Sequence, residues 1–262
     1  MSNDRDVLPP PAEEAAALTV WLAGPAARTR FDAGSQTAVD LARWREFATT
    51  RRREEWEVSR ALLAHVRGEI DSRAAVLPPA RNECPPVPQR APATLAHAGA
   101  ALSLSHSGGF AAVAASRAAL RVGVDLECER PREVSRLARF AFAEHEHSQL
   151  EALADDDARA ERFYILWTLK EAFAKALSLP LLASLRQCTF LEARGEWRGS
   201  VPTTSAWVAH TFRASPTLVL SVVAVLPASV SPENFSVSTQ EWPQSGAPPW
   251  RPLAALRSTA RG

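Results

Sequence analysis

Lysine is almost absent from this chain of 262 residues. Of its 30 basic side chains only Lys170 and Lys175 are lysines, and arginine does the rest. A compact ammonium kept at two neighbouring positions points to a need that a planar guanidinium does not meet. The plainer reading is that Glu171 and Lys175 form an ordinary i,i+4 surface pair, worth a few tenths of a kcal/mol. Cysteine is scarce too. Cys84, Cys128 and Cys188 are odd in number, far apart and form no CxxC, which excludes a disulfide framework or a zinc site and suits a reducing cytosol. Net charge is close to absent, +1 at pH 7, so general affinity for nucleic acid or a membrane surface is not expected. No apolar run reaches membrane-spanning length. The start, MSNDRDVLPPPAEEAAA, has no basic stretch before an apolar one, so no signal peptide is expected and the cytoplasm is the expected compartment. No repeat of fixed period appears. Hydrophobic residues at 46% and charged residues at 23% leave room for one large domain or two small ones, each with a core.

What is present reads as mixed helix and sheet. Residues 1–17 form a proline-bearing lead. Leu18 to Leu22 is a short apolar run closed by Gly24-Pro25, which predicts a strand. Thr37 to Val66 has a helical pattern with a break near Thr49-Thr50, and Arg51, Arg52 and Arg53 open its second piece. Residues 78–92 are proline-rich and read as an extended loop. Ala101 to Ser105 and Phe110 to Ala115 flank His106-Ser107-Gly108-Gly109, the pattern of two strands around a glycine turn. Leu120 to Glu127 alternates: Leu120, Val122, Val124 and Leu126 face one way, Arg121, Gly123, Asp125 and Glu127 the other. Val134 to Leu153 is helical in one or two pieces. Thr189 to Leu191, Trp207 to Phe212 and Leu218 to Leu226 read as strands of one small sheet, the last so apolar that a central place is expected. Beyond Pro227 the chain is rich in proline and serine with no sustained period, so residues 228–262 are expected to be a disordered tail.

The stretch ARAERFYILWTLKEAFAKALSLP, Arg159 to Pro180, predicts one helix, with Asp155 to Asp157 at its start and Pro180 as its stop. Leu166, Leu169, Phe173, Ala176 and Leu177 form its core stripe, while Trp167, Glu171 and Lys175 stack on a second face. Asp125 and Glu127 leave one face of a strand about 7 Å apart at the backbone. Two such carboxylates repel unless a cation lies between them, and oxygen ligands on a rigid strand suit Mg²⁺. Glu171 is a candidate third ligand; Mg²⁺ often completes its shell with substrate phosphate oxygens, and Lys175, one turn on, would face the same phosphates as a point charge.

GVDLE at 123–127 followed by WTLKEAFAKA at 167–176 resembles the signature pair of the 4′-phosphopantetheinyl transferases, loosely G-[IV]-D-x-E and W-x-x-K-E-[AS]-x-x-K. Gly123, Asp125, Glu127, Trp167, Lys170, Glu171 and Lys175 fill every signature position. SLSHSGG at 103–109 resembles the family's S-H-S motif, and length and motif order resemble its larger, pseudo-dimeric type. The resemblance covers roughly 18–226.

The resemblance implies an α+β fold of two similar subdomains about a pseudo-twofold, residues 18–118 and 119–227, with the ligand in the cleft between them. It implies a monomer that moves the 4′-phosphopantetheine arm of coenzyme A to a serine of an apo acyl or peptidyl carrier protein. Asp125, Glu127 and Glu171 then correspond to Mg²⁺ ligands, Lys175 to a lysine on the coenzyme A pyrophosphate, and Ser105 and His106 to phosphate contacts. Arg51, Arg52 and Arg53 lie where the family has basic residues near the 3′-phosphate. Glu146, in FAFAEHEHSQL, corresponds to a glutamate taking the serine proton, and Trp167 and Lys170 to packing residues. The family's G-K-P stretch is replaced by Gln89-Arg90-Ala91-Pro92, where Arg90 takes the lysine's place. The alternatives are a non-catalytic coenzyme A or carrier-binding relative, and a Mg²⁺-dependent pyrophosphate hydrolase.

Overall fold

The structure, a computed structural model, describes residues 17–74, 95–244 and 249–258. The expected lead therefore lies outside the described residues except Ala17, and so does the whole proline-rich loop, with Cys84 and Arg90. In chain order the helices are α1 (Ala38–Glu46), α2 (Thr50–Ala74), α3 (Val134–Ala141), α4 (Glu144–Glu151), α5 (Asp156–Leu177) and α6 (Leu181–Gln187). The strands are β1 (Ala17–Ala23), β2 (Leu95–His97), β3 (Ala100–Ser107), β4 (Phe110–Ser116), β5 (Arg121–Cys128), β6 (Thr189–Ala193), β7 (Glu196–Ser200), β8 (Trp207–Ser215), β9 (Leu218–Val225), β10 (Ser236–Glu241) and β11 (Arg251–Arg257). They form one sheet in the order β10-β1-β4-β3-β2, a second in the order β11-β8-β9-β5, and the small pair β6-β7. Mixed α+β architecture is as expected. β9 is central, but β6 left the sheet foreseen for it and pairs with β7 instead.

Both large sheets share one order of elements. In the first, β1 pairs antiparallel with β4 and β4 with β3; in the second, β5 pairs antiparallel with β9 and β9 with β8. A long helix follows the first strand each time, α2 after β1 and α5 after β5. Burial explains the layering. Leu18, Val20 and Leu22 of β1 meet Val122, Val124 and Leu126 of β5 in a core between the sheets. Trp21 and Ala23, on the other face of β1, pack with Val58, Leu62 and Val66 of α2. A strand buried on both faces needs a continuous apolar run, which is what LTVWL is. On β5 the second face carries Gly123, Asp125 and Glu127 and lies under α5.

The region after Pro227 corrects the expectation of disorder. β10 runs parallel to β1 and β11 antiparallel to β8, so the tail closes one edge of each sheet. Phe235 and Trp250 are buried in the core between the sheets, and Trp242 stacks on His65 of α2 with ring centroids 4.5 Å apart. Edge strands carry polar residues on their open side, so Ser236–Glu241 shows little of the apolar alternation that announces a strand.

Candidate metal-assisted transfer site

Gly123 decides how closely α5 can lie on β5. A Cβ built there would sit 1.9 Å from the carbonyl oxygen of Ala172 and 2.8 Å from the amide nitrogen of Ala176. Only glycine allows that approach. α5 itself starts where its sequence says: Asp155 caps it by accepting the N–H of Ala158 at 2.9 Å, and Ser178 ends it in the left-handed region at φ 55°.

The consequence is a carboxylate cluster. Asp125, Glu127 and Glu171 each offer an oxygen within 4.8 Å of the others. Lys175, one turn beyond Glu171, donates to Asp125 Oδ1 and to the carbonyl oxygen of Val124, both at 2.8 Å. Burial pushes Glu171 up to about 8, and the neighbouring Asp125 adds to the shift. Glu127 is raised in the same order of causes, burial and then Asp125. Asp125 Oδ2 is buried without a hydrogen-bond donor. An orphaned buried carboxylate oxygen beside two carboxylates that resist ionising is the arrangement a hard cation relieves. The donor set, all oxygen, fits Mg²⁺.

The S-H-S residues divide by face. Ser105 and Ser107 turn toward β5, donating to Asp125 Oδ1 at 2.9 Å and Glu127 Oε2 at 3.2 Å. His106 turns the other way and lies half-exposed 3.8 Å from Glu55 of α2. Burial lowers its pKa, so at pH 7 its ring is neutral. Glu55 also accepts the N–H of Gly109 at 3.1 Å and pairs with Arg51 at 3.3 Å. Gly108 and Gly109, at φ 65° and 88°, make a turn that L side chains resist. Beside that turn lies a cavity of about 240 Å³ lined by Pro25, Arg28, Arg51, Val58, Gly108 and Gly109 among others.

Of the three arginines expected at a phosphate, the structure brings Arg51 to this cavity. Arg52 is exposed and engages Thr49 only through its backbone N–H. Arg53 donates its Nε–H to the carbonyl oxygen of Phe47 at 3.1 Å, closing the end of α1. Arg28, Glu55 and Ser107 escaped the sequence reading. The i,i+4 spacing of Arg51 and Glu55 was the available signal for one of them.

Glu146, expected as a proton acceptor, has no exposed surface and holds Lys170, equally buried, at 2.8 Å. Its Oε2 also accepts the N–H of Ala143 at 2.9 Å, and its Oε1 accepts that of Phe190 at 2.8 Å. The remaining ammonium protons of Lys170 go to the carbonyl oxygens of Leu185, at 2.7 Å, and Cys188. A carboxylate so committed, with no exposed surface, ties α4, α5 and β6 together. Lys170 is structural, as expected, and Trp167 packs against Phe163 and Phe142.

A family model described as the 4′-phosphopantetheinyl transferase superfamily matches residues 121–216, a span holding all three carboxylates and both lysines. The resemblance read from the motifs is borne out over that segment. Among curated relatives, the transferase AcpT of Escherichia coli O157:H7 is 36% identical over 125 residues, 47% of this chain and 57% of its own. The L-aminoadipate-semialdehyde dehydrogenase-phosphopantetheinyl transferase of Xenopus laevis is 34% identical over 94 residues, 34% of this chain and 31% of its own. A Synechocystis protein, provisionally named a 4′-phosphopantetheinyl transferase, is 37% identical over 86 residues, 32% of this chain and 34% of its own. The chain thus spans between a third and somewhat over half the length of these relatives.

Proposed function

We propose that the protein moves the 4′-phosphopantetheine arm of coenzyme A to a serine hydroxyl of an apo acyl or peptidyl carrier protein, releasing 3′,5′-ADP. The observation that carries this reading is the meeting of Asp125, Glu127, Glu171 and Lys175 inside the segment that matches the family. Asp125, Glu127 and Glu171 would hold Mg²⁺, which neutralises and orients a pyrophosphate when bound. Lys175 fixes Asp125 and keeps one of its three ammonium protons free for a phosphate oxygen. Arg28 and Arg51, beside the Gly108–Gly109 turn, are the guanidinium groups a 3′-phosphate would meet there, displacing the glutamates of α2 (Glu54 and Glu57 for Arg28, Glu55 for Arg51) that pair with them. His106, neutral and half-exposed near Lys175, offers an N–H donor at the same end.

A protein acceptor also needs a landing surface. Phe140 of α3 and Leu182 of α6 are 65% and 67% exposed around a cavity of about 320 Å³ that Arg186 also lines, and Arg186 is shared with a neighbouring cavity lined by Arg139, Glu144 and His147. An acidic carrier surface with an apolar ridge fits that chemistry. We place the halves at 18–118 and 119–227, with the last strands crossing to both, and the reaction in the cytoplasm, where the unpaired thiols of Cys128 and Cys188 persist. Incubation with coenzyme A, Mg²⁺ and a panel of apo carriers tests the reading. Equal amounts of modified carrier and 3′,5′-ADP are expected; cleaved coenzyme A with unmodified carrier would make the protein a pyrophosphate hydrolase.

The cluster also sets a pH dependence. Glu171 has an ordinary value of 4.5 and a folded value of about 8. Between these the native state binds the extra proton, so this share of stability is present at low pH and lost as pH rises through about 8. In EDTA the Tm is expected to fall from pH 6 to 8.5 by more than it does in Glu171→Gln. Mg²⁺ should raise the wild-type Tm more at pH 8 than at pH 6. A Tm profile identical to that of Glu171→Gln, with no response to Mg²⁺, would contradict the cluster.

A further inference from the structure

β5 is the last strand of its sheet, and its outer edge meets β3 of the other sheet. Among the described residues no backbone ladder joins them. Serine hydroxyls do so instead. Ser103 Oγ accepts the N–H of Val124 at 3.0 Å, and Ser107 Oγ accepts that of Cys128 at 3.1 Å. The same face of β3 sends Ser105 Oγ to Asp125 Oδ1 and Ser107 Oγ to Glu127 Oε2. Residue numbers advance together, 103 with 124, 105 with 125, 107 with 127 and 128, so the two strands run in the same direction along this seam.

A serine has one proton to give. Ser105 is buried and gives its proton to Asp125; Ser107 gives its proton to Glu127 while its lone pair holds Cys128. A phosphate oxygen is an acceptor, so neither hydroxyl can donate to one without releasing a carboxylate. His106, on the opposite face, has no such commitment to the cluster.

We infer that Ser105 and Ser107 are positioning residues that aim Asp125 and Glu127 at the cation, so that the first sheet orients ligands standing on the second. This rests on the metal reading of the cluster. It moves Ser105 from the substrate to the metal's supporting shell, sets Ser107 beside it, and makes cation affinity a property of the joint between the sheets. Partners of this kind commonly govern metal affinity by 10–100-fold.

The test is calorimetric titration of Mg²⁺ into the full chain without coenzyme A, beside coenzyme A binding measured in EDTA. Ser105→Ala and Ser107→Ala are expected to weaken Mg²⁺ by about 10-fold or more. Coenzyme A affinity in EDTA should stay within about twofold. Ser107→Thr keeps the hydroxyl on a partly exposed residue and should restore Mg²⁺ affinity, which a merely packing role would not predict. Should Ser105→Ala fold poorly, Ser107→Ala against Ser107→Thr decides alone. Unchanged Mg²⁺ affinity in the Ala variants would overturn the inference. So would a loss confined to coenzyme A binding in EDTA, which would place the serines at the substrate. A wild-type chain that takes no Mg²⁺ would instead remove the metal reading on which the inference stands.

Discussion

Glu146→Ala is expected to lower stability by about 3–5 kcal/mol, because it strands the ammonium of Lys170 in a fully buried site. Burial already lowers the pKa of Lys170, so losing its carboxylate drives it further toward the neutral amine. Phe142 and Phe190, whose ring centroids lie 5.2 and 5.8 Å from Nζ, give that charge no water to turn to. The N–H groups of Ala143 and Phe190 lose their acceptor in the same stroke. Glu146→Gln separates this structural role from a catalytic one. The amide fills the same volume and still accepts from Phe190. At a temperature where the variant remains folded, its turnover should be close to that of the wild type. Denaturant unfolding, with kcat measured on the folded protein, checks both halves. A Glu146→Gln variant of native stability that has lost turnover would restore the glutamate as proton acceptor.

This residue shows where sequence reading stops. FAFAEHEHSQL carries a glutamate at a suitable spacing, but nothing in the string says which way it faces. Its direction is set by α4 packing under β6 and by a lysine 24 positions away. Lys170 gave the complementary hint, since it lies about 100° round the helix from Glu171 and so off the cluster face. The cluster was legible for the opposite reason. Asp125 and Glu127 share a face by the period of a strand, and Glu171 and Lys175 by the period of a helix. Gly123 marks where the two elements touch. Local periodicity was enough there. It was not enough for the tail, whose strands borrow their order from β1 and β8 rather than from any pattern of their own.

Truncation after Pro227 is therefore expected to be severe rather than silent. It removes β10 and β11, opens an edge of each large sheet, and withdraws Phe235, Trp250 and Leu256 from buried positions. Each large apolar side chain is worth ~1.5–3 kcal/mol on burial. The three together rival the ~5–15 kcal/mol that holds an ordinary domain folded. The paired edges of β1 and β8 would then be free to associate with other chains. The truncated protein should express poorly or aggregate, and any soluble fraction should melt well below the full chain. Trp250→Ala, which leaves the strands in place, should give a smaller loss of Tm. A truncated protein with an unchanged Tm would show that β10 and β11 contribute little to holding the sheets.

The central claim is that Asp125, Glu127 and Glu171 act as one cation site for transfer from coenzyme A. It is tested most directly by the intact mass of an apo carrier protein after incubation with coenzyme A and either the wild type, Asp125→Asn or Glu171→Gln, each with Mg²⁺ and with EDTA. The wild type should add the phosphopantetheine mass to the carrier only with Mg²⁺. Both variants, folded by circular dichroism, should be slower by at least about 10²-fold. Transfer at the wild-type rate by either variant, or by the wild type in EDTA, would contradict the account.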